Sequence, residues 1–292
     1  MAMKFSKIGV VGAGTMGKGI AEMLAVNGLD VYIVEQTDEK LDQALQMIEM
    51  SLNKQIEKWA ITETEKKIIL AKLHRAEHIN QLSDCDMVIE AIVEDFAAKK
   101  QIFKELDQYC SPKAVLASNT SSLSLTELAN GTTEPGRVIG LHFLHPVAKV
   151  QLVEIIRGLK TTEETYTHTR DFVEQTIQKT GIQVYESPGF VTTRLICTLI
   201  NESLHTLAEG VASAADIDTA MRMGYGFNYG PLEMADRFGL DSVYAAMERM
   251  FREFGDIKYR PSFLLKQMVR VGKLGVKTGQ GFFQYDKDGG RL

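Results

Sequence analysis

The sequence predicts a molecule in two parts, an α/β segment built on a parallel sheet and then a segment made almost only of helices. Three observations carry that expectation. Lys7–Glu35 reads as strand, glycine-rich turn, helix and strand. Short apolar runs of strand length recur after it as far as Tyr185, alternating with helical patterns. From Phe190 onward the apolar residues fall at helical spacing and the strand pattern stops.

The first stretch opens Lys7-Ile8-Gly9-Val10-Val11 and turns at Gly12-Ala13-Gly14-Thr15-Met16-Gly17. Ile8, Val10 and Val11 suit a buried strand. Gly12 allows the tight turn out of it. Gly14 lets backbone approach a pyrophosphate, and Gly17 lets the following helix pack against the sheet. That helix is expected from about Thr15 to Asn27, with Gly28 as its stop. Its N-terminus offers unpaired N–H groups and a partial positive charge to a phosphate. The second strand, Val31-Tyr32-Ile33-Val34-Glu35, ends in an acid eighteen positions beyond Gly17. A carboxylate there accepts ribose hydroxyls and repels a 2′-phosphate, which selects NAD over NADP. An ordinary strand–turn–helix could carry the same glycines. Here the preceding strand, the helix, the second strand and the acid all agree on a Rossmann-type unit. Gly12, Gly14, Thr15, Met16, Gly17 and Glu35 are therefore its expected cofactor-binding residues.

Composition narrows the classes. The 292 residues are 45% hydrophobic and 24% charged, which is globular and long enough for two domains. A net charge of −5 shows no footprint for nucleic acid. Met1-Ala2-Met3-Lys4-Phe5 leads almost at once into the first strand, so no targeting peptide is expected. No apolar run approaches the ~20 residues of a membrane span. Cys85, Cys110 and Cys197 are odd in number and sit in apolar surroundings. Three buried thiols in a reducing, cytoplasmic setting fit better than a disulfide or a metal site.

In chain order, Asp38 to about Ala60 and Thr62 to about Ala71 read as two helices. The pair, about residues 38–72, looks like an insertion too long for a simple crossover. It carries Lys54, Lys58, Lys66 and Lys67, either as a solvated face or as a cradle for an anionic ligand arm. Asp86–Ala91 is the next buried strand, followed by Glu94 and Lys99 at the edge where cofactors bind in such folds. After a helix over Phe96–Tyr109, the strand Ala114–Ser118 delivers Asn119-Thr120-Ser121-Ser122. Ser124 can cap the helix Leu125–Ala129. Ser121 comes too early for that, so a ligand contact is the competing reading. Arg137–His142 and Gln151–Ile156 are strands, the second doubling back beside the first. A helix at about 162–180 and a strand at Ile182–Tyr185 complete the first domain, residues 1–186. Ser187-Pro188-Gly189 marks the break, and 187–292 is the helical domain. In it Leu232, Met234, Leu240, Val243, Met247, Met250 and Phe251 exceed what one small helical domain needs to bury, which suggests a subunit interface.

The chemistry centres on His142 and Glu154, twelve positions apart on two strands joined by a tight return. A carboxylate on one imidazole nitrogen sets the tautomer, leaves the other nitrogen as a base and stabilises the imidazolium. An NAD enzyme that oxidises an alcohol needs such a group for the hydroxyl proton. A histidine at a strand end is often only structural. Beside a dinucleotide-binding turn, and with a glutamate at this spacing, it points to catalysis.

These stretches together resemble the short-chain L-3-hydroxyacyl-CoA dehydrogenase family, particularly its bacterial 3-hydroxybutyryl-CoA branch. The likeness runs through Val11–Gly17, Val88–Glu94, Ala117–Leu123, Gly140–Phe143, Leu152–Ile155, Pro188-Gly189-Phe190 and Lys277–Phe282, essentially the whole chain. The resemblance implies that the catalytic pair is His142 and Glu154. It implies NAD contacts at Glu35, Glu94, Lys99, Ser121 and Lys277, and coenzyme A contacts at Ser51 and Lys58. It also implies an acyl-CoA substrate and a homodimer formed through the helical domain. Nothing in it calls for a metal, nucleic acid or membrane. Two positions depart from the family: His145 and Thr193 stand where relatives carry asparagines lining the reacting end of the substrate. Gly226–Pro231 departs as well, lacking the proline and methionine usual before Gly-Pro. Altered acyl specificity is one consequence. The alternative is an NAD dehydrogenase of the same fold acting on a β-hydroxy acid without CoA, such as a sugar acid or carnitine-like acid. A dinucleotide-binding protein without catalysis would not need both His142 and Glu154.

Overall fold

The computed structural model describes residues 5–292, so the reading of Met1–Lys4 lies outside the described residues. The chain forms two compact units, Met1–Glu186 and Ser187–Leu292. Among the described residues no helix is long and apolar enough to cross a membrane.

The first unit is one eight-stranded sheet with helices. Its strands in chain order are β1 (Lys7–Val11), β2 (Asp30–Val34), β3 (Leu73–Ala76), β4 (Met87–Glu90), β5 (Val115–Ser118), β6 (Val138–Phe143), β7 (Leu152–Arg157) and β8 (Thr180–Tyr185). They lie in the order β3-β2-β1-β4-β5-β6-β7-β8. Every neighbouring pair is parallel except β6 and β7. The order reverses at β1, between β2 and β4, which opens a crevice at the strands' carboxyl ends. Ile8, Val10, Val31, Ile33, Met87 and Ile89 are buried in the core against helix α1 (Thr15–Val26).

Three expectations change here. The helical pair, α2 (Asp38–Glu57) and α3 (Glu63–Leu70), is itself the crossover from β2 to β3 rather than an insertion beyond one. The reading overlooked β3 because its sequence, Leu-His-Arg-Ala, lacks the apolar run of a buried strand. An edge strand has solvent on one side and tolerates such residues. Thr62 caps α3 through a reciprocal bond with Glu65, as its sequence suggests. The helix near residue 162 is also shorter than expected: α6 (Glu163–Asp171) ends in a wide π turn, Phe172–Thr176.

Between them lie α4 (Phe96–Tyr109) and α5 (Leu125–Ala129), the latter capped by Ser124. The second unit holds α7 (Thr192–Ala208), α8 (Ala214–Tyr225), α9 (Pro231–Phe238), α10 (Leu240–Phe254) and α11 (Phe263–Arg270). Two buried aspartates tie it together. Asp218 accepts from the amides of Leu232 and Glu233 at 2.9 Å each, fixing the start of α9. Asp236 accepts from the amides of Phe282 (3.0 Å) and Phe283 (2.9 Å) and from the Tyr285 hydroxyl (2.9 Å). It thereby pins the C-terminal strap to α9. Burial pushes both carboxyls above their ordinary range, against the hydrogen bonds they accept.

The apolar excess expected at a subunit face is mostly interior. Leu232, Leu240, Val243, Met247 and Met250 are buried in this unit's own core, and Met234 and Phe251 are half-buried. Five helices crossing around one centre bury more apolar surface than helix-by-helix reading suggests. The large apolar side chains that remain outside are others, among them Leu195, Met223, Tyr225, Ile257 and Phe263. All three cysteines are buried free thiols. Burial, with Cys110 nearby, pushes Cys85 up to about 12, and burial alone raises Cys197 to about 12.

Candidate active site

The crevice at the reversal point has a volume of about 930 Å³, and Gly12, Gly14, Glu35, Ala91 and Ile92 line it together with Ile79 and Tyr109. Gly12 takes φ +94°, and a Cβ there would meet the Ala91 carbonyl at 2.9 Å, so only glycine makes this turn. A Cβ on Gly17 would lie 1.8 Å from the Gly12 carbonyl oxygen. Gly14 is different: a Cβ there meets nothing within 4 Å, because the position faces open space beside the crevice. Gly14 is the N-cap of α1 and supplies no side-chain bond. The leading amides of Thr15, Met16 and Gly17 are therefore left for a ligand. Glu35 follows β2. One of its oxygens accepts from the Ala13 amide and the other from the Gln36 amide, both at 2.7 Å. Each oxygen keeps a lone pair for a ribose hydroxyl. These residues fit a dinucleotide without a 2′-phosphate.

On the other side of the crevice a network organises the ends of β4 and β5. Glu90, fully buried, accepts from Lys99 Nζ (2.6 Å), Ser118 Oγ (2.6 Å) and the Ile92 amide (2.8 Å). Lys99 is 1% exposed, and its ammonium also reaches the Ile92 carbonyl at 3.3 Å and Glu94 at 3.4 Å. Its charge is thus committed to holding two carboxylates. Glu94 stays exposed and collects donors on one oxygen: Thr120 Oγ1 at 2.6 Å and the amides of Ser121 (3.0 Å) and Ser122 (3.1 Å). The Ser121 hydroxyl turns the same way, at 3.3 Å. Burial of its head group works to raise the Glu94 carboxyl, but Lys99 and these donors outweigh it and hold it below the ordinary range.

The antiparallel pairing of β6 with β7 sets His142 directly opposite Glu154. Nδ1 of the histidine lies 2.6 Å from Glu154 Oε2. The glutamate is fully buried and the histidine 7% exposed. Two supports hold the pair in place. Asn119, just past β5, accepts from the Phe143 amide at 2.9 Å and extends the β5–β6 ladder by its side chain. Buried Lys179 donates to the carbonyls of Val147 (2.8 Å) and Val150 (2.7 Å), closing the return between β6 and β7. His145 is exposed on that return, and its ring is pushed below the ordinary imidazole range by the protein around it and then by the charge of Lys18.

The remaining expected residues fall in two places. Ser51 is half-buried on α2, where its hydroxyl donates to Glu22 on α1 at 2.8 Å, and Gln55 joins at 2.9 Å. Lys58, exposed, caps the end of α2. In the second unit Thr193 is half-buried in the first turn of α7. Lys277 is there too, paired with both oxygens of Asp241. The structure thus brings the turn glycines, Glu35, Glu94, Lys99, Ser121 and the His142–Glu154 pair onto one sheet edge. It holds Ser51 and Lys58 apart on α2. Sequence reading missed Glu90, Asn119, Lys179 and Glu22. Glu90 and Glu22 carried a signal, being acids inside apolar runs. Lys179 carried none.

A dinucleotide turn, an acid for the ribose and an imidazole–carboxylate pair on one sheet edge define an NAD-dependent dehydrogenase. Residues 7–187 match the NAD-binding domain of 3-hydroxyacyl-CoA dehydrogenase and residues 189–285 match its C-terminal domain. The chain belongs to the 3-hydroxyacyl-CoA dehydrogenase family. It is 43% identical to a probable 3-hydroxybutyryl-CoA dehydrogenase of Deinococcus radiodurans, over 96% of this chain and all of that one. It is 42% identical to the Bacillus subtilis counterpart, over 98% and 99%. Among solved structures, the (S)-3-hydroxybutyryl-CoA dehydrogenase of Ralstonia eutropha superposes with a TM-score of 0.93 at 41% identity, over 97% of this chain and all of that one.

The two glycines of the turn are expected to fail differently. Gly14→Ala should melt at the parent temperature but bind NADH about tenfold more weakly, or ~1.4 kcal/mol, because its methyl faces the crevice. Gly17→Ala should lower the melting point, the overpacking costing about 1–3 kcal/mol. Calorimetry and NADH fluorescence titration separate them, and matching behaviour of the two would refute the assignment. Glu94 generates a pH prediction. Its folded carboxyl titrates below the unfolded value, so its contribution is complete above about pH 4.3 and is lost as pH falls through the lower folded value. The Ser121 and Ser122 amide NMR shifts should titrate below the ordinary glutamate range. A midpoint at or above it would contradict the network described.

Proposed function

We propose that this protein oxidises short-chain L-3-hydroxyacyl-CoA, such as 3-hydroxybutyryl-CoA, to the 3-ketoacyl-CoA with NAD, and catalyses the reverse reduction. The observation that carries the reading is the His142–Glu154 contact of 2.6 Å, on the same sheet as the dinucleotide crevice. The names of the relatives supply the substrate class. The turn amides of Thr15–Gly17 and the Glu35 carboxylate hold NAD, which when bound supplies the hydride acceptor at its nicotinamide. His142 takes the hydroxyl proton on Nε2 during oxidation and returns it to the carbonyl oxygen during reduction. Glu154 holds Nδ1–H, sets the tautomer and offsets the imidazolium charge without leaving the buried pair. Ser121 stands at the adjoining strand end to orient the ligand. Lys277, in the second unit, serves the cofactor. Ser51 and Lys58 meet the coenzyme A arm, the lysine as a point charge for phosphate. Glu22 is a positioning residue that orients the Ser51 hydroxyl. His145 and Thr193 give the reacting end a different volume and polarity from two asparagines, and they tune acyl preference. The helical unit forms a homodimer through apolar side chains left outside its core, such as Leu195 and Phe263.

NADH absorbance with acetoacetyl-CoA and with free acetoacetate tests the substrate. Turnover of the thioester alone is expected, and equal turnover of the free acid would favour the CoA-independent alternative. His142→Gln should lower kcat by roughly 10²–10⁴-fold, the range for lost general acid–base help, with little change in NADH affinity. Near-normal turnover in that variant would sink the mechanism. Light scattering should give twice the 32.5 kDa chain mass, and Leu195→Asp should shift it toward the monomer. A monomeric parent would remove the dimer from the proposal.

A further inference from the structure

The end of α2 breaks a backbone habit. The residue just past a helix cap commonly turns left-handed and is commonly glycine, because a side chain crowds that conformation. Here the position holds Trp59, at φ +58°. Its amide donates to the Ile56 carbonyl at 2.8 Å, and the Ala60 amide donates to Gln55 at 2.9 Å. The helix is thus closed with a bulky ring where an unbranched turn would serve.

The ring recovers nothing inside the molecule. Trp59 is 95% exposed, although tryptophan is normally well buried. Among the described residues its indole N–H has no hydrogen-bond partner, and no ring or cation stacks on it. It is the sequence's one tryptophan. Its chain neighbour is Lys58. Met47, Ser51, Lys54 and Lys58 recur at steps of four, three and four, so they share one side of α2 leading up to it. Lysines near a helix C-terminus also satisfy its dipole, but that role asks for no exposed aromatic at a left-handed position.

We propose that Trp59 is the stacking platform for the adenine base of coenzyme A. The proposal rests on the reading of Ser51 and Lys58 as coenzyme A contacts and extends it from the phosphates to the base. In coenzyme A the ribose that carries the 3′-phosphate also carries adenine. A lysine that meets that phosphate therefore has the base within reach of an adjacent side chain. A lysine accepts any anion. A flat, solvent-facing indole beside it adds preference for a nucleotide, since base–aromatic stacking needs only a π-face on each partner. The left-handed backbone leaves the ring exposed at the end of the helix, with its face open to a base arriving from solvent.

A single tryptophan makes the test direct. Coenzyme A titrated into the full-length protein should quench the tryptophan emission saturably, and pantetheine, which lacks the nucleotide, should leave it unchanged. With acetoacetyl-CoA and acetoacetyl-pantetheine as paired substrates, Trp59→Ala should reduce the kcat/KM ratio between them by roughly 5- to 150-fold, the range for one lost stack. Trp59→Phe should recover most of that ratio. Emission indifferent to coenzyme A while acetoacetyl-CoA turns over normally would overturn the proposal, as would a Trp59→Ala variant with the parent ratio. Emission already blue-shifted and shielded from acrylamide before ligand is added would assign the ring to a protein contact and also overturn it. Failure of the underlying reading looks different: the parent protein would then use the two thioesters equally well.

Discussion

The pairing of β6 with β7 is the constraint on which the rest depends. In a sheet that otherwise runs parallel, this reversal places a residue near the end of one strand directly across from a residue near the start of the next. Parallel neighbours need a long crossover and would separate two such residues by a helix. The antiparallel return instead sets His142 against Glu154, with a histidine nitrogen 2.6 Å from the carboxylate. Much of the surrounding chain serves that geometry. Lys179 holds the return closed from below through two carbonyls, and Asn119 locks the end of β6 to β5. A buried carboxylate is tolerated where its partner is fixed, and the sheet does the fixing.

The same economy appears one strand over. Glu90 and Lys99 form a buried ion pair whose remaining valences go to Ser118 and to Ile92 on either side. The pair touches Glu94 and so reaches the Thr120–Ser122 turn. Glu94, Lys99 and Ser121, expected from sequence as ligand contacts, are also bonded to one another through this frame. Removing a member would leave an uncompensated charge inside, so the frame is rigid because a broken version is costly. Rigidity at strand ends is what a hydride-transfer site needs, since reacting groups must be held in near-attack geometry.

The two units are built on different physics. The first is stapled by polar networks at its functional edge, and its interior is an ordinary apolar sheet–helix core. The second is an apolar helix cluster held shut by Asp218 and Asp236, each spending its acceptors on backbone amides. The C-terminal strap that bears Lys277 depends on Asp236 for its course.

The sequence by itself determined the features that rest on local spacing. The glycines of the first turn, the acid after β2 and the twelve-residue step from His142 to Glu154 are legible because each is set by a few neighbouring dihedrals or by strand period. Family likeness then assigned their chemistry. Tertiary structure decided what depends on distant neighbours. β3 exists because β2 offers it an edge, not because Leu-His-Arg-Ala prefers to be a strand. Lys99 is interior because Glu90 waits for it there. Leu232, Met247 and Met250 are core rather than interface because five helices converge on them. Trp59 stands exposed because α2 ends with a left-handed residue, a conformation no propensity assigns to tryptophan. For β3, Lys99 and the helical core the deciding energy is burial or pairing with a residue far away in sequence, which local pattern does not encode.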